Sequence, residues 1–357
     1  MEKFNSEIKE AAVVCLKKQI PFCVYSLPGE DSKVFFFANP SGKIPGADRR
    51  FFIGKWLSTS EAFIFIYDEW SEREVIENGD KVKNKSKSSL PLSSGRSISK
   101  EEYIERLTML VEEIRHKDIQ KVVFSRVKEV RSDRSPEDCV NIAEKVFRTY
   151  PNAFRSFYYT QETGVWLGAT PELILNYDKT DGKVETFAIA GTRNISCGNE
   201  PWDNKNIEEQ KIVARYIAKK LQKSGYVING KETFNIKAGD IQHIATRIQA
   251  FPKVHMPDNY GYRLLDSLNP TPALCGFPKE EAMEIISRYE NYERDCYGGV
   301  IGVENSSRLV SYVNLRCADM SETDIRLYAG GGILRDSDVE QEWEETERKL
   351  QTIGNFL

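Results

Sequence analysis

The order of the strand-like and helix-like runs constrains the fold of this chain more than any other feature of its sequence. Runs rich in aromatic and β-branched residues come in groups joined by turns, at 33–40, 62–70, 121–130, 156–161, 164–178, 183–194, 243–252, 297–305, 308–319 and 324–330. Helical patterns fall between these groups and do not alternate strictly with single strands. This order predicts an α+β, or layered α/β, protein with an antiparallel arrangement, and it argues against a Rossmann fold.

Helices and one boundary are marked by local signals. Ser99 and Glu102 form a capping-box pattern before one helix, and Pro136 stands at the favourable first position of a second helix over 136–149. A third helix is predicted over 203–223. The polar segment 78–98 is rich in Gly, Ser, Lys and Pro, so it predicts a long, mobile loop that divides the chain into parts 1–98 and 99–357.

Composition excludes several classes of protein. The 357 residues carry 50 basic and 54 acidic side chains, well mixed, which gives no nucleic-acid signal. The first residues show neither a signal peptide nor a membrane span, and the seven cysteines are scattered without CxxC spacing. We therefore expect a cytoplasmic protein with free thiols and no membrane or nucleic-acid partner. Three histidines make a multi-histidine metal site improbable, so a bound metal should be a hard cation held by carboxylates.

The C-terminal segment combines a glycine turn with a charged helix. Gly330 to Gly332 end a strand-like run, and a Ser/Asp turn at 336–338 then caps a helix. An apolar stripe at helical spacing contains Val339, Trp343, Thr346, Leu350 and Ile353. Glu342, Glu345 and Lys349 flank that stripe and could meet a metal-bound anion, whereas Glu340, Glu344 and Glu347 lie away from it. The alternative for the whole row is an ordinary solvated face.

Helix 203–223 places one carboxylate on its apolar side. Glu209 shares a face with Ile212, Val213 and Tyr216, whereas Glu208 belongs to a solvated ion-pair face. A buried carboxylate must be paired or bound to a metal. This helix and the C-terminal helix could each present a carboxylate to one Mg²⁺, and the alternative is that Glu209 pairs with a basic neighbour.

Three further residues and two turns are candidates for chemistry. Lys121 lies on an apolar strand face, where burial could make it a base, although a lysine at a strand end more often reaches water. Glu172 follows a proline turn and either points into a cleft or is a turn carboxylate. Arg316 suits bidentate carboxylate binding.

The turns at Gly191 and at 330–332 offer backbone N–H groups to anions. Nucleotide-binding and serine-hydrolase motifs are absent from the sequence.

Taken together, these segments resemble the chorismate-utilising enzymes, which include isochorismate synthases, salicylate synthases and the large subunits of anthranilate and aminodeoxychorismate synthases. The matching pieces, in order, are KVVFSR, LGATPELIL, AIAGTR, KNIEEQKIV, LNPTPALCGFP, LVSYVNLRCA and LYAGGGI followed by SDVEQEWEETERK. They cover about residues 100–357, and residues 1–98 match as a divergent N-terminal part of the same fold. The resemblance implies one structural domain, in which two large, mainly antiparallel sheets pack as a sandwich with helices outside.

The resemblance also implies roles for individual residues. Lys121 matches the general base of isochorismate and salicylate synthases, where anthranilate synthases carry glutamine, and Glu172 matches the general acid. Glu209 and Glu345 match the Mg²⁺ carboxylates, with Glu342 beside them. The positions that match substrate-binding residues are Gly191, Thr192, His243, Ala273, Leu274, Tyr297, Arg316, Gly331 and Lys349.

The branch of the family is indicated by the PTPALCG segment, which is most similar to isochorismate synthases. The resemblance thus implies a monomeric, Mg²⁺-dependent enzyme that converts chorismate to isochorismate for menaquinone or siderophore biosynthesis. A salicylate synthase, an anthranilate or aminodeoxychorismate synthase component, and an inactive chorismate-binding module are the alternatives. The chain departs from the family pattern at Asn206, where an aspartate is frequent and its loss could weaken metal binding, and at Asn269, where a histidine is frequent.

Overall fold

A computed structural model gives the fold of the chain. The structure describes residues 4–30, 33–41, 49–82, 97–131, 133–198, 200–238, 241–257, 259–320 and 324–357. Most of the predicted mobile loop, residues 83–96, therefore lies outside the described residues, and its start at Gly79–Lys81 forms a short 3-10 helix.

Two antiparallel sheets of eight strands each form the centre of the described part of the chain. The first sheet runs in the order β12 (Gly276–Phe277), β5 (Lys121–Arg131), β16 (Asp324–Ile333), β15 (Cys317–Asp319), β7 (Gly164–Thr170), β6 (Phe154–Thr160), β1 (Phe22–Ser26) and β2 (Phe35–Ala38). The second runs in the order β10 (Tyr226–Ala238), β11 (Ile241–Pro252), β9 (Val184–Asn194), β8 (Leu173–Asp178), β14 (Arg308–Val313), β13 (Val300–Glu304), β3 (Arg50–Gly54) and β4 (Ile64–Tyr67).

Helices cover the outer faces of both sheets. In the described ranges they are α1 (Ser6–Lys18), α2 (Glu72–Asn78), α3 (Lys100–His116), α4 (Pro136–Thr149), α5 (Asn204–Lys223), α6 (Tyr260–Leu268), α7 (Lys279–Tyr289) and α8 (Val339–Gly354), with further 3-10 turns at Ser60–Ala62 and Ile195–Cys197. The predicted signals act as expected: the Ser99 side chain caps α3, and Pro136 opens α4. No helix among the described residues is long and apolar enough to cross a membrane.

Aromatic side chains fill the space between the two sheets. Phe154 of the first sheet stacks on Tyr312 of the second with ring centroids 4.4 Å apart, and Phe51 lies against Tyr158 at 5.6 Å. Contacts of this kind contribute about 0.5–1.5 kcal/mol each beyond the area that they bury. On the outside, α1, α4 and α8 pack on the first sheet, and α5 and α6 pack on the second. The predicted sandwich of antiparallel sheets with outer helices is confirmed.

Two of the points at which the chain crosses between the sheets are neighbours in space. The predicted run 164–178 is in fact two strands, β7 and β8, which belong to different sheets and are separated by Pro171 and Glu172. The segment 314–316 makes the return crossing from β14 to β15. Backbone hydrogen bonds join the crossings: Val313 N–H donates to the Glu172 carbonyl at 3.0 Å, and Ala169 N–H donates to the Arg316 carbonyl at 3.1 Å. Two predicted site residues, Glu172 and Arg316, therefore lie where the sheets meet.

Candidate active site

A cleft that is continuous with solvent lies at these crossings. It is lined by all the predicted site residues except Glu342 and Glu345, namely Lys121, Glu172, Gly191, Thr192, Glu209, His243, Ala273, Leu274, Tyr297, Arg316, Gly331 and Lys349. Residues that are far apart in the sequence thus converge, while the chemical role of each remains a prediction.

Lys121 is the first residue of β5 and is only 1% exposed. It does not reach bulk water, so the alternative of a lysine at a strand end that extends into solvent is wrong. Its Nζ lies 2.9 Å from Oε1 of Glu209 on α5. Gly332 makes this contact possible, because a Cβ there would lie 2.1 Å from Glu209 Oε1 and 2.6 Å from Lys121 Cε. Glu209 is therefore both the carboxylate of the apolar helix face and the partner of a basic residue.

Glu172 is a buried carboxyl group with 7% exposure. Burial raises its pKa from 4.5 to about 7, and the Glu209 carboxylate adds to this, whereas Lys121, Lys349 and Arg316 act to lower it. A carboxyl group with such a pKa carries a proton in a substantial fraction of molecules at neutral pH. It can therefore donate a proton to a leaving group.

Arg316 and His243 form one hydrogen-bonded unit. Arg316 has a φ of +50°, which is unusual for a residue with a side chain, and its guanidinium Nη2 lies 2.9 Å from His243 Nε2. Arginine can only donate, so His243 Nε2 must accept and His243 Nδ1 must carry the proton. The Nδ1–H then donates to the Gly191 carbonyl or the Thr192 hydroxyl, each 3.1 Å away.

The protonation states of this unit follow from burial and neighbouring charge. Burial, together with the cations Arg316 and Lys349, lowers the pKa of His243 to about 3. Burial lowers the pKa of Arg316 to about 10 even though the Glu345 carboxylate opposes the change. At neutral pH the unit is thus a neutral imidazole that orients a charged guanidinium, and this guanidinium can bind an anion in the cleft.

Asn206 accounts for the shape of the Gly191 turn. Its Oδ1 accepts the Thr192 N–H at 3.0 Å, and its Nδ2 donates to Asp203 at 2.6 Å. A Cβ at Gly191, whose φ is +72°, would lie 3.1 Å from Asn206 atoms, so the close approach requires glycine. The Thr192 N–H that the sequence offered to an anion is therefore engaged by Asn206. Asn206, which departs from the family pattern, thus holds the Gly191 turn to the start of α5 through its side-chain amide.

Helix α8 carries two carboxylates, Glu342 and Glu345, that lie close to Gly331 in the glycine segment of β16. Glu345 Oε1 accepts from Lys349 Nζ at 2.6 Å, and Lys349 also donates to the Gly330 carbonyl at 2.7 Å. Burial alone would raise the pKa of Glu345, but Lys349 and Lys205 outweigh it and lower the pKa to about 2. The predicted row of Glu342, Glu345 and Lys349 faces inward, and the alternative of a solvated face is wrong for it.

Glu342 is the more deeply buried of the two, at 2% exposure. Its Oε1 accepts from Lys205 Nζ and from Ser337 Oγ, both at 2.7 Å. Burial raises the pKa of Glu342 and Glu345 adds to this, while Lys205 and Ser337 act to lower it. Burial would lower the pKa of Lys205, but the surrounding carboxylates, Glu342 first, raise it above its ordinary value. The two residues therefore form a partly buried ion pair.

The donor set at this place is compatible with the magnesium ion that the resemblance implies. Oε2 of Glu342 is buried and has no hydrogen-bond partner among the described residues, and it faces Gly331, where a Cβ would lie 2.8 Å from it and 3.9 Å from Glu345 Oε1. Within the described ranges no three His, Cys, Asp or Glu side chains form a ready metal cage. Magnesium, however, commonly takes only one or two protein carboxylates and keeps water or substrate oxygens as its other ligands.

Buried Arg294 is the main cleft residue that the sequence analysis missed. It lines the cleft, forms an ion pair with Glu290 at 2.6 Å, and donates to the carbonyls of Leu274 and Val123 at 2.8 and 3.0 Å. Glu290 in turn accepts from the Ser125 N–H at 2.6 Å. The spacing of four residues between Glu290 and Arg294 was the available signal. The pair therefore connects strand β5 to the segment that contains Leu274.

A second buried arginine holds helix α8 in place. Arg126 is 1% exposed, lies 3.7 Å from the ring centroid of Trp343, and donates through Nε to Thr346 at 2.8 Å. It also bonds to Glu347, which the helical pattern had assigned to the solvated face and which is in fact partly buried. Arg126 therefore fixes the helix on either side of Glu345.

Comparison with known proteins identifies relatives of the chain. The model of the family described as chorismate binding enzyme matches residues 48–357. Isochorismate synthase EntC of Escherichia coli (strain K12) is 28% identical over 250 residues, 67% of this chain and 62% of that protein. Anthranilate synthase component 1 of Acetivibrio thermocellus is 28% identical over 284 residues, 76% of this chain and 55% of that protein. The matches thus span less than two thirds of these relatives.

Solved structures agree with the fold. The structure of a putative 2,3-dihydroxybenzoate-specific isochorismate synthase, DhbC from Bacillus anthracis, superposes with a TM-score of 0.74 at 19% identity, covering 98% of this chain and 99% of that one. MenF, the menaquinone-specific isochorismate synthase from Escherichia coli, gives a TM-score of 0.69 at 19% identity, covering 96% and 90%. At these identities the likeness confirms the architecture.

Proposed function

Because the chain belongs to the chorismate binding enzyme family, we propose that it is an isochorismate synthase. The reaction would be the Mg²⁺-dependent isomerisation of chorismate to isochorismate, by attack of water at ring carbon 2 and loss of the 4-hydroxyl. The observation that carries the proposal is the presence of two complementary groups in one cleft. These are Lys121, a buried amine, and Glu172, a carboxyl group whose pKa burial raises to about 7.

The cationic groups of the cleft suit a dianionic substrate. Chorismate carries two carboxylates, and the guanidinium of Arg316, held by His243, would bind one of them through charge-assisted hydrogen bonds. Lys349, which lines the same cleft, supplies a second positive charge. Tyr297 forms part of the wall and stacks on Tyr328 at 5.3 Å, so the ring position is fixed by packing.

Lys121 would then act as the general base of the reaction and Glu172 as its general acid. Neutral Lys121 would accept a proton from the attacking water as its oxygen bonds to ring carbon 2. The double bonds of the ring shift, and protonated Glu172 would give its proton to the departing 4-hydroxyl, which leaves as water. Each such catalyst typically contributes about 10²–10⁴-fold to the rate. One water is consumed and one released, so the atoms balance.

The ion pair of Lys121 with Glu209 sets a condition on this chemistry. In this ion pair, with Nζ and Oε1 2.9 Å apart, the lysine is an ammonium group, and an ammonium group cannot accept a proton. Lys121 must therefore lose its proton before water attacks. The pair also holds the lysine in position, since a buried side chain with a fixed partner keeps one orientation in the cleft.

The residues that would hold Mg²⁺ are Glu209 and Glu345, with Glu342 beside them. When bound, the ion would supply positive charge that stabilises a substrate carboxylate and the negative charge developing on the ring. Support comes from the unpaired Oε2 of Glu342 and from the space that Gly331 leaves next to it.

Product analysis tests the proposal. Purified protein is incubated with chorismate and Mg²⁺, and the products are separated by chromatography. Isochorismate as the only product supports the proposal. Salicylate together with pyruvate would identify a salicylate synthase instead, and no turnover of chorismate would point to an inactive binding module.

A further inference from the structure

Lys205, which has no role in the proposed reaction, forms an ion pair with Glu342. Neither residue lines the cleft, yet the Glu342 carboxylate lies against Gly331, a residue that does line it. Lys205 belongs to the first turn of α5, one turn before Glu209 on the same helix face. Glu342 belongs to the first turn of α8, one turn before Glu345. The pair therefore sits between the two helices that carry the proposed metal carboxylates.

The hydrogen bonds of Glu342 are strongly asymmetric. Its Oε1 receives two donors at 2.7 Å, the Lys205 ammonium and the Ser337 hydroxyl. Its Oε2 is buried, faces Gly331 and has no hydrogen-bond partner in the part of the chain that the structure describes. Because an unpartnered buried carboxylate oxygen is costly, this atom has unused capacity to accept a cation. The nearest fixed positive charge of Glu342 is the one on Lys205, so that lysine limits how strongly the carboxylate attracts a second cation.

The charges around the cleft show why this pair is distinctive. Glu209 pairs with Lys121, and Glu345 pairs with Lys349, so both lysines of these pairs already have proposed roles toward substrate. Lys205 pairs with the third carboxylate, Glu342, at 2.7 Å. The side chain of Lys205 is 29% exposed. Its ammonium is therefore already in partial contact with water, whereas that of Lys121 is buried.

We propose that Lys205 is an internal counter-cation that sets the divalent-metal affinity of the site by occupying Glu342. With Lys205 present, Glu342 is largely neutralised and the metal is held chiefly by Glu209 and Glu345. Without Lys205, the full charge of Glu342 becomes available to the metal. The inference rests on the proposed function for the presence of a metal, and it adds the residue that determines how tightly that metal binds.

A double-mutant cycle on metal binding tests the proposal. The dissociation constant of Mn²⁺, used as a paramagnetic probe, is measured by electron paramagnetic resonance of the free ion, without chorismate, for wild type, Lys205→Met, Glu342→Gln and the double variant. Lys205→Met should tighten binding by roughly tenfold, because a nearby unit charge is worth more than this at short range. In the Glu342→Gln background the same change should have a much smaller effect.

Two control variants separate charge from folding. Lys211 lies on the same helix, is half-exposed and contacts Glu208 at 3.8 Å, so Lys211→Met removes a lysine away from the site and should leave the Mn²⁺ constant unchanged. Lys205→Arg keeps the positive charge and should bind Mn²⁺ within about twofold of wild type. Glu342→Gln alone, which leaves Lys205 without its partner, should weaken Mn²⁺ binding.

The outcomes distinguish this inference from the proposed function. Unchanged or weaker Mn²⁺ binding by Lys205→Met, or an equal effect in both Glu342 backgrounds, would overturn the role of Lys205 while leaving the reaction untouched. Failure of all variants to bind a divalent cation would overturn both this role and the magnesium part of the proposed function. Normal Mn²⁺ binding without conversion of chorismate would instead refute only the proposed reaction.

Discussion

Replacing Glu172 with glutamine should make the protein more stable and less active at the same time. The variant removes a carboxyl group that is buried in the cleft and keeps a side chain of similar size. Burial raises the pKa of Glu172 from 4.5 to about 7, so the folded state binds this proton more tightly than the unfolded state does. The contribution of this proton to the free energy of unfolding is fully present below about pH 4.5 and is lost as the pH rises through about 7.

The size of the effect follows from the two pKa values. Relative to a side chain that stays protonated, titration of Glu172 lowers the free energy of unfolding by roughly 3 kcal/mol at pH 8, but by only about 1 kcal/mol at pH 5, which lies just above the ordinary pKa of 4.5. Glu172→Gln does not titrate. Its free energy of unfolding relative to wild type should therefore increase by roughly 2.5 kcal/mol between pH 5 and pH 8.

Urea denaturation of both proteins at the two pH values measures this difference. Glu162→Gln is the matched control, since Glu162 is exposed in the turn between β6 and β7 and should show no such dependence. In parallel, kcat/KM of wild type should fall as the pH rises through about 7, because the acid must be protonated in the free enzyme, and Glu172→Gln should lose about 10²–10⁴-fold in kcat. An equal stability difference at pH 5 and pH 8 would refute the argument that burial keeps Glu172 protonated.

Three further predictions concern the groups around Glu172. Lys121→Ala should lower kcat by about 10²–10⁴-fold, whereas Lys128→Ala, at the exposed part of the same strand, should not, and a Lys121→Ala enzyme with full activity would disprove the base assignment. Gly332→Ala would place a Cβ 2.1 Å from Glu209 Oε1, so displacement of that carboxylate should lower kcat by roughly 10²-fold, and an unchanged kcat would contradict the close approach. Nitrogen NMR of His243 at pH 7 should show a neutral ring with the proton on Nδ1, and a doubly protonated ring would contradict the hydrogen bond from Arg316.

Much of the fold could be predicted because its signals are local. The cap at Ser99, the proline at the start of α4 and the apolar stripe of α8 each act within a few residues. Strand β10 was missed because it is an edge strand with a bulge between Ile228 and Gly230, and its polar residues hide the alternation. The split of run 164–178 into two strands of different sheets was also missed, since it depends on packing between sheets.

The candidate site shows a similar division. The sequence motifs indicated which residues belong to the cleft, and the apolar helix face singled out Glu209 from Glu208. The partners of these residues could not be predicted. Lys205 and Glu342 are 137 positions apart, and their contact exists only because α5 and α8 approach the same glycine segment. The structural role of Asn206 likewise depends on the turn at Gly191.

The central claim is that water, activated by Lys121, replaces the 4-hydroxyl of chorismate at a new ring carbon. The most direct test is to run the reaction with Mg²⁺ in water enriched in the heavy oxygen isotope and to analyse early isochorismate by mass spectrometry. The account predicts that the newly formed hydroxyl of the product carries the solvent oxygen. Isochorismate that retains only the original oxygen of chorismate would contradict it, because the hydroxyl would then have moved without attack by water.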